Sequence, residues 1–255
     1  MNGLPPVFLG APIAHRALHD MGDGRPENSR AAILAAMEYG YGIEIDLQLS
    51  ADGQAMVFHD YDLKRLTGQK GPVRTRQAAA LAAITLTGGD KGIPTLSEVL
   101  ALVRGRVPVL IELKDQHGQM GKTDGVLEAA VARDLAGYTG PAAVMSFNPE
   151  MVAGMADRAP DVPRGLVTCA YPARDWLLLR PAVRARLRGI PDYDRTGACF
   201  ISHQASDLGS ARVAELKRAG ATVLCWTIRS AEAEAKARKI ADNVTFEGYL
   251  ADIPS

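Results

Sequence analysis

The sequence predicts a closed (β/α)8 TIM barrel with a β-hairpin after its second strand and a small insertion. Three observations point there. Eight apolar, β-branched runs alternate with amphipathic stretches over 255 residues, the strand count and length of one such barrel. Ionisable residues gather at the ends of the early runs, where these barrels carry their chemistry. A doubly wound open sheet would also alternate, but its Gly-rich turns are missing, with neither GxGxxG nor GxxxxGKS/T present.

The first strand is expected at 12–15 and runs into His15-Arg16, with a helix at 28–39. The second, 43–49, alternates Ile43, Ile45, Leu47 and Leu49 with Glu44, Asp46 and Gln48, so its two faces differ. Asp52-Gly53 supplies a turn and 55–58 the return strand, which ends on His59-Asp60. Simple register would bring His59 opposite Glu44. Residues 61–93 are polar and Gly-punctuated, an insertion expected over the barrel mouth. A helix at 95–103 opens on a capping box, Thr95 with Glu98. In "VPVLIELKD" a strand at 108–113 sets Glu112 and Lys114 two apart, on one face. Further strands are expected at 142–146, 165–168, 199–202, 222–227 and 248–251, and helices at 125–135, 148–158, 209–219 and 230–240. Gly137, Gly189 and Gly220 fall where helices should stop. Residues 170–197 interrupt the alternation with Trp176-Leu177-Leu178-Leu179 and with Arg180, Arg184, Arg186 and Arg188, read as a solvated helix face.

Composition narrows the classes. Lys+Arg and Asp+Glu are both 29, so no global field favours nucleic acid or an anionic membrane. No apolar run approaches the roughly 18 residues of a spanning helix. The start, MNGLPPVFLGAP, is broken by prolines and lacks the basic residues of a signal peptide. Cys169, Cys199 and Cys225 are widely spaced and suit a reducing cytoplasm. The expectation is a single domain, 1–255, acting on a small molecule without stable membrane anchoring. The sequence is silent on oligomeric state.

In a barrel, Glu44, Asp46 and Glu112 would converge as an oxygen-donor set, suited to Mg2+ or Ca2+ rather than Zn2+. His15 and His59 would flank it, able to trade protons near neutral pH. Arg16 and Lys114 would complement a phosphate. Each group has a plainer reading. Glu44 and Asp46 suit a solvent-facing hairpin, Glu112 and Lys114 an ion pair lining a barrel, and His59-Asp60 a turn-end cap. Neighbouring Cys225 and Trp226 must face opposite ways, so one of them points inside. His19, His117 and His203 read as loop, surface or structural residues.

The blocks "IAHRALHDMGDGRPENSRAA", "IEIDLQLSADGQAMVFHD", "IPTLSEVL", "VLIELKD", "MSFNPE" and "VLCWTI" resemble, in order and spacing from about 12 to 254, those of the glycerophosphodiester phosphodiesterase family. The resemblance implies a (β/α)8 barrel and hydrolysis of glycerophosphodiesters to sn-glycerol 3-phosphate and an alcohol. It makes Glu44, Asp46 and Glu112 metal ligands and His15 and His59 the acid/base pair. Arg16 and Lys114 would hold phosphate, Glu27 would sit in the site and Trp226 would line the glycerol pocket. It also leaves open a phospholipase-C- or D-like activity on lysophospholipids or another phosphodiester, and a barrel that binds glycerophosphate without turnover. The chain departs from the family pattern at Ala17 (usually Gly), Ser29 (usually Thr), an added His19-Asp20 and Asp23, and the last strand block, "FEGYLADIP".

Overall fold

The computed structural model describes residues 3–89 and 91–254. Among them a nine-stranded sheet runs through β1 (Ile13–Ala14), β2 (Gly42–Leu49), β3 (Ala55–Val57), β4 (Val109–Leu113), β5 (Ala142–Ser146), β6 (Arg164–Thr168), β7 (Phe200–Gln204), β8 (Thr222–Ile228) and β9 (Asn243–Phe246). All pair in parallel except β3, which returns antiparallel on β2. Strand β1 pairs with both β2 and β9 and closes an eight-strand barrel. Helices α1 (Arg30–Tyr39), α2 (Lys64–Thr67), α3 (Ala78–Ala82), α4 (Leu96–Val103), α5 (Val126–Leu135), α6 (Pro149–Arg158), α7 (Pro181–Arg188), α8 (Ala211–Arg218) and α9 (Ala231–Ala237) lie between or beside the strands. This is the (β/α)8 architecture that the alternation predicts. No described helix is long and apolar enough to cross a membrane.

Local chemistry sets the element ends. Ser29 and Asn148 cap α1 and α6 by accepting the backbone N–H of Ala32 and Glu150, and the Thr95–Glu98 capping box forms in both directions. The strand period of two then sorts side chains into layers. Ile43, Ile45, Leu47, Val109, Ile111, Val144, Leu166, Val223 and Cys225 face the helices as one buried core. Inside the barrel, Phe8, Ile13, Leu110, Ala143, Phe200 and Leu224 fill the N-terminal end. Gly165 makes room there, since a Cβ would meet the Phe200 ring at 2.4 Å. Asn243 ties down the N-terminal segment through the carbonyls of Phe8 and Ala11, at 2.7 and 2.8 Å. That end is sealed, so the polar interior residues open only the other way.

Two expectations need correction. The last strand is Asn243–Phe246, not 248–251. Gly248 is left-handed at φ 77° and Leu250 is 57 % exposed, so that stretch is a loop, whereas Asn243-Val244-Thr245-Phe246 is buried throughout. The hairpin pairs Leu47 with Val57 and Leu49 with Ala55, a register that sets His59 level with Ile45 rather than Glu44, just past the end of β3. His59 still reaches the mouth because its carbonyl accepts Gln48 Nε2–H at 3.0 Å. Residues 61–93 carry their own small core, in which Phe58, Leu63, Leu66, Val73, Leu81 and Ile93 cluster against the hairpin. Helix α7 buries only Leu187 and leaves Arg186 and Arg188 exposed, as read from sequence, while Arg184 is half-buried.

Candidate active site

Strand register builds the floor of the site. Asp46 and Glu112 are paired residues of β2 and β4, and Glu44 lies one inward position below. One carboxylate oxygen from each of the three falls within 4.8 Å of the others. All are buried: Glu44 and Asp46 are 1 % exposed, Glu112 7 %. Lys114 follows on the same face, and its Nζ donates to Asp46 Oδ1 and Glu112 Oε1, at 2.7 Å each.

The turn after β1 supplies the wall. His15 N–H donates to the Phe246 carbonyl, continuing the β1–β9 pairing. Arg16 and Ala17 are both left-handed, φ 52° and 64°, and this turns the Arg16 N–H onto Glu44 Oε2 at 2.9 Å. Non-glycine residues resist that conformation by about 1–2 kcal/mol each, and such strain collects at functional sites. Asn28, left-handed too, donates Nδ2–H to Asp46 Oδ2 at 2.9 Å and accepts the Asp46 N–H. The sequence reading did not single out Asn28, although it lies inside a quoted motif block.

The two histidines are held by different carboxylates. His15 Nδ1 lies 2.5 Å from Glu247 Oε2, and Arg229 grips the other oxygen at 2.7 Å. The His15 bond first, with His19 at 3.6 Å and the Arg229 charge beside it, holds the Glu247 carboxyl well below the usual range, so it stays ionised and accepts the proton that His15 carries on Nδ1. Burial lowers the His15 pKa below its ordinary 6.5 against the opposing pull of that bond. His59 Nδ1 lies 2.7 Å from Asp60 Oδ1. Burial alone would raise the Asp60 pKa, but Arg65 and His59 hold it low. Arg65, from the insertion, takes Asp60 at 2.7 and 2.8 Å and Glu27 twice at 2.8 Å, while Glu27 Oε1 also accepts from Arg16 at 2.9 Å. Nothing local in sequence ties Arg65 or Glu247 to these partners. The run Val244-Thr245-Phe246, two β-branched residues and an aromatic, was the available pointer to Glu247.

His15, Arg16, Glu44, His59, Glu112, Lys114 and Trp226 line one cavity of about 190 Å3. Asp46 lies under Lys114, and Glu27 backs Arg16 at the rim. Trp226 is the inward residue of its pair, donating Nε1–H to the Ser202 carbonyl at 2.9 Å, and Cys225 faces the helices. Ser202 Oγ and Thr245 Oγ1, also in the lining, are buried without a hydrogen-bond partner, as suits a cavity meant for a polar molecule. His203 is structural, bonded to Thr168 and Asp207 at 2.7 and 3.1 Å.

The carboxylate floor fits a divalent cation. Lys114 serves Asp46 and Glu112, whereas Glu44 makes no ion pair among the described residues and accepts the Arg16 N–H. Burial, with Asp46 and Glu112 beside it, pushes the Glu44 carboxyl well above the usual range, which marks a carboxylate lacking a cation of its own. Three oxygen donors and no thiolate match a hard ion.

The model of the glycerophosphoryl diester phosphodiesterase family matches residues 15–247. The chain belongs to that family. As a family member it is a phosphoric diester hydrolase. It is similar to YhdW of Bacillus subtilis, 26 % identical over 252 residues that cover 95 % of this chain and 94 % of that protein. A glycerophosphodiester phosphodiesterase of Caldanaerobacter subterraneus is 37 % identical over 115 residues, 42 % of this chain and 45 % of its own. Among solved structures, a phosphodiesterase of Oleispira antarctica in complex with the product sn-glycerol 3-phosphate superposes with a TM-score of 0.75 at 25 % identity, covering 94 % of this chain and 93 % of that one.

Proposed function

We propose that this phosphodiesterase hydrolyses glycerophosphodiesters to sn-glycerol 3-phosphate and an alcohol, with a divalent metal held by Glu44, Asp46 and Glu112. The observation that carries the reading is the meeting of those carboxylates with two carboxylate-held histidines and two cations around one cavity. The bound ion, Mg2+ or Ca2+, would stabilise charge on the phosphate and ease ionisation of a nearby hydroxyl. Arg16 and Lys114 orient the phosphate oxygens, and Trp226 flanks the glycerol. His15, neutral with its proton on Nδ1, takes the proton of the attacking hydroxyl or water at Nε2. His59 gives a proton to the departing alcohol oxygen. Glu27 braces Arg16. The chain works as one domain, 1–255, with 61–93 as the insertion at the mouth, and three unpaired thiols suit a cytoplasmic setting.

Purified protein supplied with Mg2+ or Ca2+ should release sn-glycerol 3-phosphate from glycerophosphocholine, and exhaustive chelation should abolish release. Full turnover after chelation would contradict the metal role. Leu177 and Leu178, 84 % and 77 % exposed, favour a second reading, a phospholipase-like activity on a lysophospholipid whose acyl chain these side chains would meet. Faster turnover of lysophospholipid micelles than of glycerophosphocholine would select it.

A further inference from the structure

Behind His15, away from the carboxylate floor, lies a second convergence of ligand-type groups. One atom each of His15, His19 and Glu247 fall within 4.8 Å of one another. Glu247 Oε2 is the hub, 2.5 Å from His15 Nδ1 and 3.6 Å from His19 Nε2. Tetrahedral zinc ligands at about 2.0–2.1 Å from the ion sit about 3.3 Å apart, so the two separations from Glu247 each lie within about 1 Å of a coordinating pair's. The chain places all three firmly. His15 and Glu247 are consecutive with the β1–β9 pair Ala14–Phe246. His19 directly precedes the loop that the Asp20–Arg25 bridge closes, and its N–H donates to the Ala17 carbonyl at 2.9 Å. Arg229, on the far oxygen of Glu247, fixes that carboxylate as outer partners of metal ligands do. The side chains remain 15 %, 25 % and 19 % exposed, which leaves an ion a way in.

The donor chemistry differs from that of the floor. Two imidazoles and one carboxylate suit borderline ions such as Zn2+ or Co2+, whereas three carboxylates suit Mg2+ or Ca2+. We propose that His15, His19 and Glu247 form a separate inhibitory site for such a transition-metal ion. Binding uses the lone pair of His15 Nδ1, so the single proton of the neutral ring moves to Nε2. A ring protonated at Nε2 has no lone pair to accept the nucleophile's proton, and hydrolysis stops with no covalent change. The inhibition rests on the proposed role of His15 as base; the binding does not.

The test uses the full chain with saturating Mg2+. Co2+ titration should give the absorption of a four-coordinate nitrogen/oxygen site, with calorimetry counting one ion, both retained in Glu44→Gln and lost in His19→Ala and in the gentler His19→Gln. Zn2+ should inhibit glycerophosphocholine hydrolysis in a way that excess Mg2+ does not relieve. The His19 variants should keep basal turnover and need about 10–100-fold more Zn2+, at least the usual worth of an outer-shell partner. Equal inhibition of wild type and the His19 variants, or Co2+ binding unchanged by them, would overturn the site. Binding without inhibition would overturn the switch and count against His15 as base, while leaving hydrolysis itself unaffected.

Discussion

The two histidine corners of this cavity share a design and differ in what anchors them. His15 leans on Glu247, 232 residues away, across the seam where the first and last strands close the barrel. His59 leans on its own neighbour, Asp60, and the insertion residue Arg65 grips that carboxylate. The side chains are 15 % and 30 % exposed respectively. One corner therefore belongs to the frame and the other to an attached piece. Damage to the insertion should reach proton donation to the leaving group and spare proton removal from the nucleophile.

The largest expected effect ignores the difference. Asp46→Asn or Glu112→Gln should bring hydrolysis to background with any leaving group, since both corners serve the same centre, while circular dichroism stays native. A variant still selective for poor or good leaving groups would mean that the carboxylates belong to one corner.

Next comes the frame. Glu247→Gln leaves His15 without its ionised acceptor and should cost about 10–100-fold in kcat for choline and p-nitrophenyl esters alike. Burial already lowers the His15 pKa, so the acid limb of kcat/KM should lie below pH 6.5. A base works only when neutral, and Glu247 opposes that lowering. Glu247→Gln should therefore move the limb to still lower pH, and an upward move would contradict the assignment.

The attached corner should give less. Arg65→Ala should cost about tenfold with a choline ester and little with a p-nitrophenyl ester. Its acid limb should stay in place, and an equal loss on both esters would mean that Arg65 acts through Glu27 and Arg16 instead.

The smallest effect lies between the corners. Ala17→Gly should stabilise the protein by up to about 1 kcal/mol, because a left-handed penalty of about 1–2 kcal/mol is offset in part by glycine's unfolded-state freedom. A urea-unfolding loss of more than about 1 kcal/mol would show that packing of the Ala17 methyl, 1 % exposed, outweighs the backbone.

What the sequence made legible follows the same division. Period-two alternation and strand count sufficed for the barrel, and spacing by two put Glu44 with Asp46 and Glu112 with Lys114. Those signals are local. Glu247 was missed because the last strand was expected at 248–251 rather than at Asn243–Phe246, and a strand moved by five residues hides whatever stands at its end. Arg65 was missed for another reason: an irregular insertion has no period, so nothing near it in sequence says which carboxylates it meets. His19 read as an incidental loop residue because Glu247, which joins it to His15, lies at the far end of the chain.

The central claim is that His15 removes a proton and His59 supplies one, and leaving-group dependence tests it most directly. With glycerophosphocholine, His15→Ala and His59→Ala should each lose about 10²–10⁴-fold in kcat, the usual worth of a positioned proton-transfer group. With a p-nitrophenyl ester, whose alcohol departs without help, His59→Ala should recover most of its rate and His15→Ala should not. Recovery in His15→Ala alone would reverse the roles, and recovery in neither would rule out this division of labour.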